Sequence, residues 1–142
     1  MSNRADDAPY RRRDPLKSAS VRVLAILLFA EAAALIVATV YLLVELLTEA
    51  PDSYASAIAL TVLCASAALW LAVIGVNTLR GKSWIRGATI TVQLLQIALA
   101  IGSFQGVFAR ADIGWMLLLP AIVVLVLLFT PAVLAATARR ES

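Results

Sequence analysis

The chain has no histidine and only one cysteine, Cys64. Without histidine, a Ser-His-Asp or Cys-His catalytic arrangement cannot be built. No ordinary donor set for zinc or haem remains either. No metal site, cofactor or catalytic residue is therefore expected, and the chain reads as a non-enzyme. A lone cysteine also rules out a disulfide within the chain, and inside an apolar run it acts as a small hydrophobe. Charge is scarce as well. Only 15% of the 142 residues are Asp, Glu, Lys or Arg, and they gather at the ends and in short connections.

Apolar residues fill the space that charge leaves. They make up 62% of the chain, with a mean hydropathy of +0.91. Soluble domains hold roughly 45–50%. Four long apolar runs stand at residues 21–47, 53–79, 87–108 and 114–138. Each exceeds the roughly 20 residues that cross about 30 Å of hydrocarbon as a helix. The fold class expected is all-α: a polytopic membrane protein with a four-transmembrane-helix bundle at 21–138. A mobile basic N-terminal tail (1–20) and a short C-terminal tail (139–142) flank it. Residues 1–20 are polar, and the first apolar run is too long for the h-region of a cleaved signal, so a retained anchor is expected. Pro51 ends the first run, while Pro120 and Pro131 are expected to kink the fourth.

Eleven of the 12 basic residues fall on one side of such a bundle: Arg4, Arg11, Arg12, Arg13, Lys17, Arg22, Arg80, Lys82, Arg86, Arg139 and Arg140. Arg110 alone falls on the other. Basic loops stay in the cytoplasm. The expectation is a multi-pass protein of the cytoplasmic membrane with both termini inside. Arg11, Arg12, Arg13, Arg80, Lys82 and Arg86 would form a cytoplasmic basic surface that attracts anionic lipid headgroups. Tyr41, Tyr54, Trp84 and Trp115 fall near the predicted interfaces, where such side chains are favoured.

Within the spans, three stripes recur at helical spacing. The first run carries Glu31, Ala34, Ala38, Tyr41 and Glu45. The second carries Thr61, Ala65, Ala68, Ala72 and Gly75, small residues that allow close helix approach. The third carries Thr89, Gln93, Gln96, Ala100 and Ser103. Polar groups lack partners in lipid, so all three stripes are expected to point into the bundle. Glu31 lies nine residues beyond Arg22, and Gln96 lies ten beyond Arg86. Both therefore sit roughly 14–15 Å deep from the same face. An intramembrane polar cluster of Glu31, Gln93 and Gln96 is expected. No cation lies at that depth, so Glu31 is expected to be a neutral acid at rest. Two roles are open to it. It is either a structural bridge between helices or a coupling site for protons or cations.

Gly81-Lys82-Ser83 looks like the end of a phosphate-binding loop. That motif needs a glycine where Val76 stands, and a strand before it. Neither a nucleotide nor a nucleic-acid partner is expected.

The stretch Arg80-Gly81-Lys82-Ser83-Trp84-Ile85-Arg86-Gly87, with Gln93-Leu94-Leu95-Gln96 and Gln105-Gly106, resembles a group of small four-span membrane proteins from actinobacteria. The resemblance covers most of the span region and implies a membrane location more than a chemistry. Glu31 in a first span is also similar to the glutamate of small multidrug-resistance transporters, which implies proton coupling in an oligomer. Two functions are carried forward. One is an accessory or interaction subunit, with a membrane-protein partner or a second copy. The other is a small oligomeric proton- or cation-coupled transporter using Glu31.

Overall fold

The structure is a computed structural model describing residues 18–105 and 109–138. The basic residues Arg11, Arg12 and Arg13 lie outside the described residues. Those described are helical or in short connections: α1 (Ala19–Thr48), α2 (Tyr54–Leu79), α3 (Ile85–Ser103), α4 (Ala111–Leu128) and α5 (Pro131–Ala138). The first four are long and apolar enough to cross a membrane.

Local chemistry sets the boundaries. Ser18 Oγ accepts from the Val21 N–H at 3.4 Å, and Ser53 Oγ accepts from the Ser56 N–H at 3.4 Å, opening α1 and α2. The α2–α3 turn depends on glycine. Gly81 takes φ 65°, a left-handed conformation that L side chains avoid. The Gly81 N–H then reaches the Thr78 carbonyl, and the Lys82 N–H reaches that of Asn77, each at 3.1 Å. This paired cap satisfies carbonyls that the last turn of α2 would otherwise leave open.

The fourth apolar run is two helices. Pro120 lies inside α4, whereas Pro131 is the first residue of α5. A proline is comfortable at a helix start, where its missing N–H has no intrahelical duty. Thr130 supplies both N–H and Oγ1 to the Leu127 carbonyl, at 3.1 and 2.7 Å, which closes α4. The fold is therefore four long helices plus a terminal helix of 8 residues, about two turns, rather than one helix kinked twice.

α1 packs along α2, and α3 along α4. The two hairpins meet chiefly at one end. There Val21, Leu24, Leu28 and Ala32 of α1 form one core with Leu71 and Ile74, Ile85, Val124 and Leu128, and Val133 and Ala136 of α5. Phe29 lays its ring over Gly75, where a Cβ would stand 3.1 Å from the ring. At the opposite end α3 and α4 are closed by the Arg110 N–H on the Ser103 carbonyl at 2.8 Å. The Phe104 ring there lies over Gly114, edge-on to Trp115 with centroids 5.5 Å apart.

The helices differ in reach. α1 has 30 residues and α3 has 19, or roughly 45 Å against 28 Å. All buried residues of α1 lie between Val21 and Ala32, and those of α2 between Ala68 and Thr78. Among the described residues, none of α1 beyond Ala32 and none of α2 before Ala68 is buried. This corrects the expectation for the first stripe. Beyond Glu31, Ala34, Tyr41 and Glu45 are exposed and do not point into the bundle, and Ala38 is half-buried. The second stripe is split, with Ala68 and Gly75 buried and Ala65 exposed. The third faces inward: Thr89, Gln93 and Ala100 are buried, while Gln96 and Ser103 are half-buried.

Candidate functional site, a carboxyl between three helices

Glu31 sits where the two hairpins begin to part. Leu28 and Ala32 beside it are buried, and it is half-buried. Two amides of α3 reach it. Gln93 Nε2 donates to Oε2 at 2.9 Å, and Gln96 Nε2 donates to Oε1 at 3.1 Å. Each carboxyl oxygen thus holds one amide donor. The two glutamines are three residues apart and share a face, so both meet one carboxyl from successive turns.

Gln96 does more. Its Nε2 also donates to the Leu117 carbonyl of α4 at 2.9 Å. Leu117 stands three residues before Pro120, next to the carbonyl that the proline leaves without an N–H. Pro120 has no N–H for the Met116 carbonyl, and its ring pushes that turn apart. Gln96 accordingly ties α1, α3 and α4 at one point.

Around this knot the hydroxyls divide. Thr39, Thr61, Ser66, Thr91 and Ser103 bond back to the carbonyl four residues earlier, at 2.7–2.9 Å. That is the usual way for a hydroxyl to survive in lipid. Two of the three buried threonines, Thr78 and Thr137, do the same with Ile74 and Val133. Thr89 does not: it is fully buried, and its Oγ1 has no partner among the described residues. One turn further along the same face, Gln93 Oε1 is also buried without one. One turn nearer the membrane face, Arg86 Nε is the third such atom. An orphaned buried polar atom usually costs about 1–3 kcal/mol. Three in a row along α3 (residues 86, 89 and 93) are therefore a feature of this face. Side-chain spacing locates the stripe, but only the rotamers show which atoms go unpartnered.

The structure thus brings Glu31, Gln93 and Gln96 together. Of the basic residues, Arg80 caps α2 and is exposed, Lys82 follows in the turn, and Arg86 begins α3. No group of three or more His, Cys, Asp or Glu side chains suited to a metal is present among the described residues. Cys64 is half-buried on α2, and Asn77 turns its amide back to the Val73 carbonyl at 2.8 Å. At the far face Arg110 and Asp112 form an exposed pair at 2.8 Å.

The architecture is that of a helical protein with four helices long and apolar enough to cross a membrane, and with a carboxyl of α1 bonded to two amides of α3, one of which also bonds α4. No protein-family description, no curated protein and no solved structure matches the chain.

Proposed function

We propose that the protein is an accessory or interaction subunit of the cytoplasmic membrane, without an enzymatic activity of its own. Both termini and the Arg80–Arg86 turn face the cytoplasm in this reading, and Glu31 ties the bundle together. The observation that supports it is the unequal reach of the hairpins. From the level of Glu31, α1 runs 17 residues further to Thr48, whereas α3 runs seven beyond Gln96 to Ser103. Those lengths are roughly 25 Å and 10 Å. Beyond Ala32 on α1 and before Ala68 on α2 none of the described residues is buried, and large side chains such as Val40, Val44, Leu47, Val62 and Leu63 are exposed there. Lipid accepts such a surface, but so does the helix of a partner, and the small residues of α2 favour close helix approach. The positive turn adds an anchor for anionic headgroups.

Site-specific photo-crosslinking in cells tests this. A benzophenone side chain at Val44 or Val62 should give one discrete protein adduct, weakened by neutralising Arg80, Lys82 and Arg86. Lipid adducts alone at both positions would overturn the subunit reading.

A second reading is favoured by the orphaned Gln93 Oε1 beside the carboxyl. In it the protein is a small oligomeric proton- or cation-coupled transporter, and Glu31 is the coupling group. It predicts that Glu31→Gln abolishes a proton-linked flux without lowering expression. The subunit reading predicts the same flux in both forms.

A further inference from the structure

We propose that the exposed side of the α2–α3 corner binds one anionic phospholipid, its headgroup on Arg80 and Lys82 and an acyl chain along Trp70 and Trp84. The site rests on the reading of the positive turn as an anchor for anionic headgroups, and gives that anchor a ligand and a place.

The charged half follows from where the acids lie. Arg80 caps α2 and is exposed, and Lys82 beyond it is half-buried. Glu31 is held by two amides of α3. Glu45, Glu49, Asp52 and Asp112 stand at the other end of the helices or in the connections there. The one ion pair among the described residues joins Arg110 to Asp112 at that far end. Arg80 and Lys82 therefore have no described carboxylate to neutralise them. The start of α3 adds to the same potential. Its first turn holds no acidic side chain, and Trp84 gives it no side-chain cap. A Cβ on Gly87, in that turn, would meet nothing within 4 Å, so the corner is open.

The corner is also rigid. Gly81 is buried in its left-handed conformation, and the Gly81 and Lys82 N–H groups are tied back to α2. The backbone that carries both cations has little freedom left to lose on binding.

The aromatic half is an independent observation. The Trp70 and Trp84 rings lie 6.0 Å apart and are tilted by 51°. That spacing lets each ring steady the other. Both stay open, at 49% and 43% exposure. Trp84 stands at the start of α3, whereas Trp70 lies ten residues before Arg80, roughly 15 Å deeper along α2. The pair makes one apolar surface that descends from the turn toward the acyl chains. An indole at this boundary keeps its ring in hydrocarbon and its N–H near headgroup oxygens. A free phosphate ion would meet the cations and leave Trp70 untouched. A charged head joined to a hydrocarbon tail meets both, so the occupant is a phospholipid of that leaflet.

Fluorescence quenching of the full chain in vesicles tests the site. Trp115→Phe leaves Trp70 and Trp84 as the emitters. The vesicles are phosphatidylcholine with a small fraction of chain-brominated lipid, either phosphatidylglycerol or phosphatidylcholine. At equal fraction the brominated phosphatidylglycerol should quench at least about threefold more strongly, because each cation near the surface favours an anionic lipid. Arg80→Gln with Lys82→Gln should make the two lipids equal. Arg110→Gln, at the far end, should leave the preference intact. Read at Trp84 alone, the preference should fall in Trp70→Ala and survive in Trp70→Phe. Equal quenching by the two lipids would overturn the site. So would a preference that persists in the Arg80→Gln, Lys82→Gln form or in Trp70→Ala, or one that Arg110→Gln also removes. Loss of the lipid preference with the protein adduct retained would strike the site alone. Loss of the adduct with the preference retained would strike the subunit reading alone.

Discussion

At the scale of single residues, the bundle concentrates its polar chemistry on one carboxyl and two amides. The two glutamines are not equivalent. Gln96 holds both Glu31 and the Leu117 carbonyl, whereas Gln93 holds Glu31 alone and leaves its own oxygen unpartnered. Interhelical hydrogen bonds in membranes average about 0.6 kcal/mol each. Gln96→Leu is therefore expected to cost about 1–2 kcal/mol, and Gln93→Leu about 0.5 kcal/mol or less. Reversible unfolding in mixed micelles measures both, and the reverse order would refute the assignment. A separate contact limits Gly114. A Cβ there would stand 2.7 Å from the Phe104 ring, which also leans on Trp115. Gly114→Ala should displace that ring at a cost of about 1 kcal/mol. The sign is a shifted Trp115 emission when Trp70 and Trp84 are phenylalanine, reversed by Phe104→Leu. An unshifted emission would mean that the ring has room to spare.

At the scale of helices, α4 shows how one proline can organise a neighbour. Pro120 leaves the Met116 carbonyl without an N–H, and Gln96 takes up the carbonyl of the next residue, Leu117. Pro120→Ala should restore the backbone bond to Met116 and weaken the bridge from α3. In a double-mutant cycle, Pro120→Ala and Gln96→Leu should then be non-additive, whereas strict additivity would separate the kink from the bridge. The sequence displays some of this and hides the rest. The approach of Glu31 to the two glutamines is legible, because Arg22 and Arg86 mark one membrane face and helical rise converts residue counts into depth. The inward face of α3 is legible because five polar or small residues recur at helical spacing. The outward turn of Ala34, Tyr41 and Glu45 is not, since spacing gives a face but not the length of the neighbour opposite it. The break before Pro131 is hidden too. An apolar run with a proline looks the same whether the helix bends or stops, and the Thr130 bonds to Leu127 decide it.

At the scale of the whole molecule, four antiparallel spans put the start of α1, the α2–α3 turn and the end of α4 on one face. In a Cys64→Ser background, single cysteines at Ser18 and Ser83 should label from the same side of the membrane, and one at Asp52 from the other. Labelling of Ser18 and Ser83 from opposite sides would break the four-span topology. The α1–α2 hairpin extends past its neighbours, and the bundle is joined mainly at the end near that turn. The polar knot sits where the hairpins begin to part, so it fixes how far they part. That knot is the central claim, and solid-state NMR in lipid bilayers measures it directly. With 15N in the glutamine side chains and 13C in the Glu31 carboxyl, the nitrogens of Gln93 and Gln96 should each lie roughly 4 Å from that carbon, as a hydrogen bond of ordinary length requires. Glutamine nitrogens that leave the Glu31 carbon signal undephased would contradict the account.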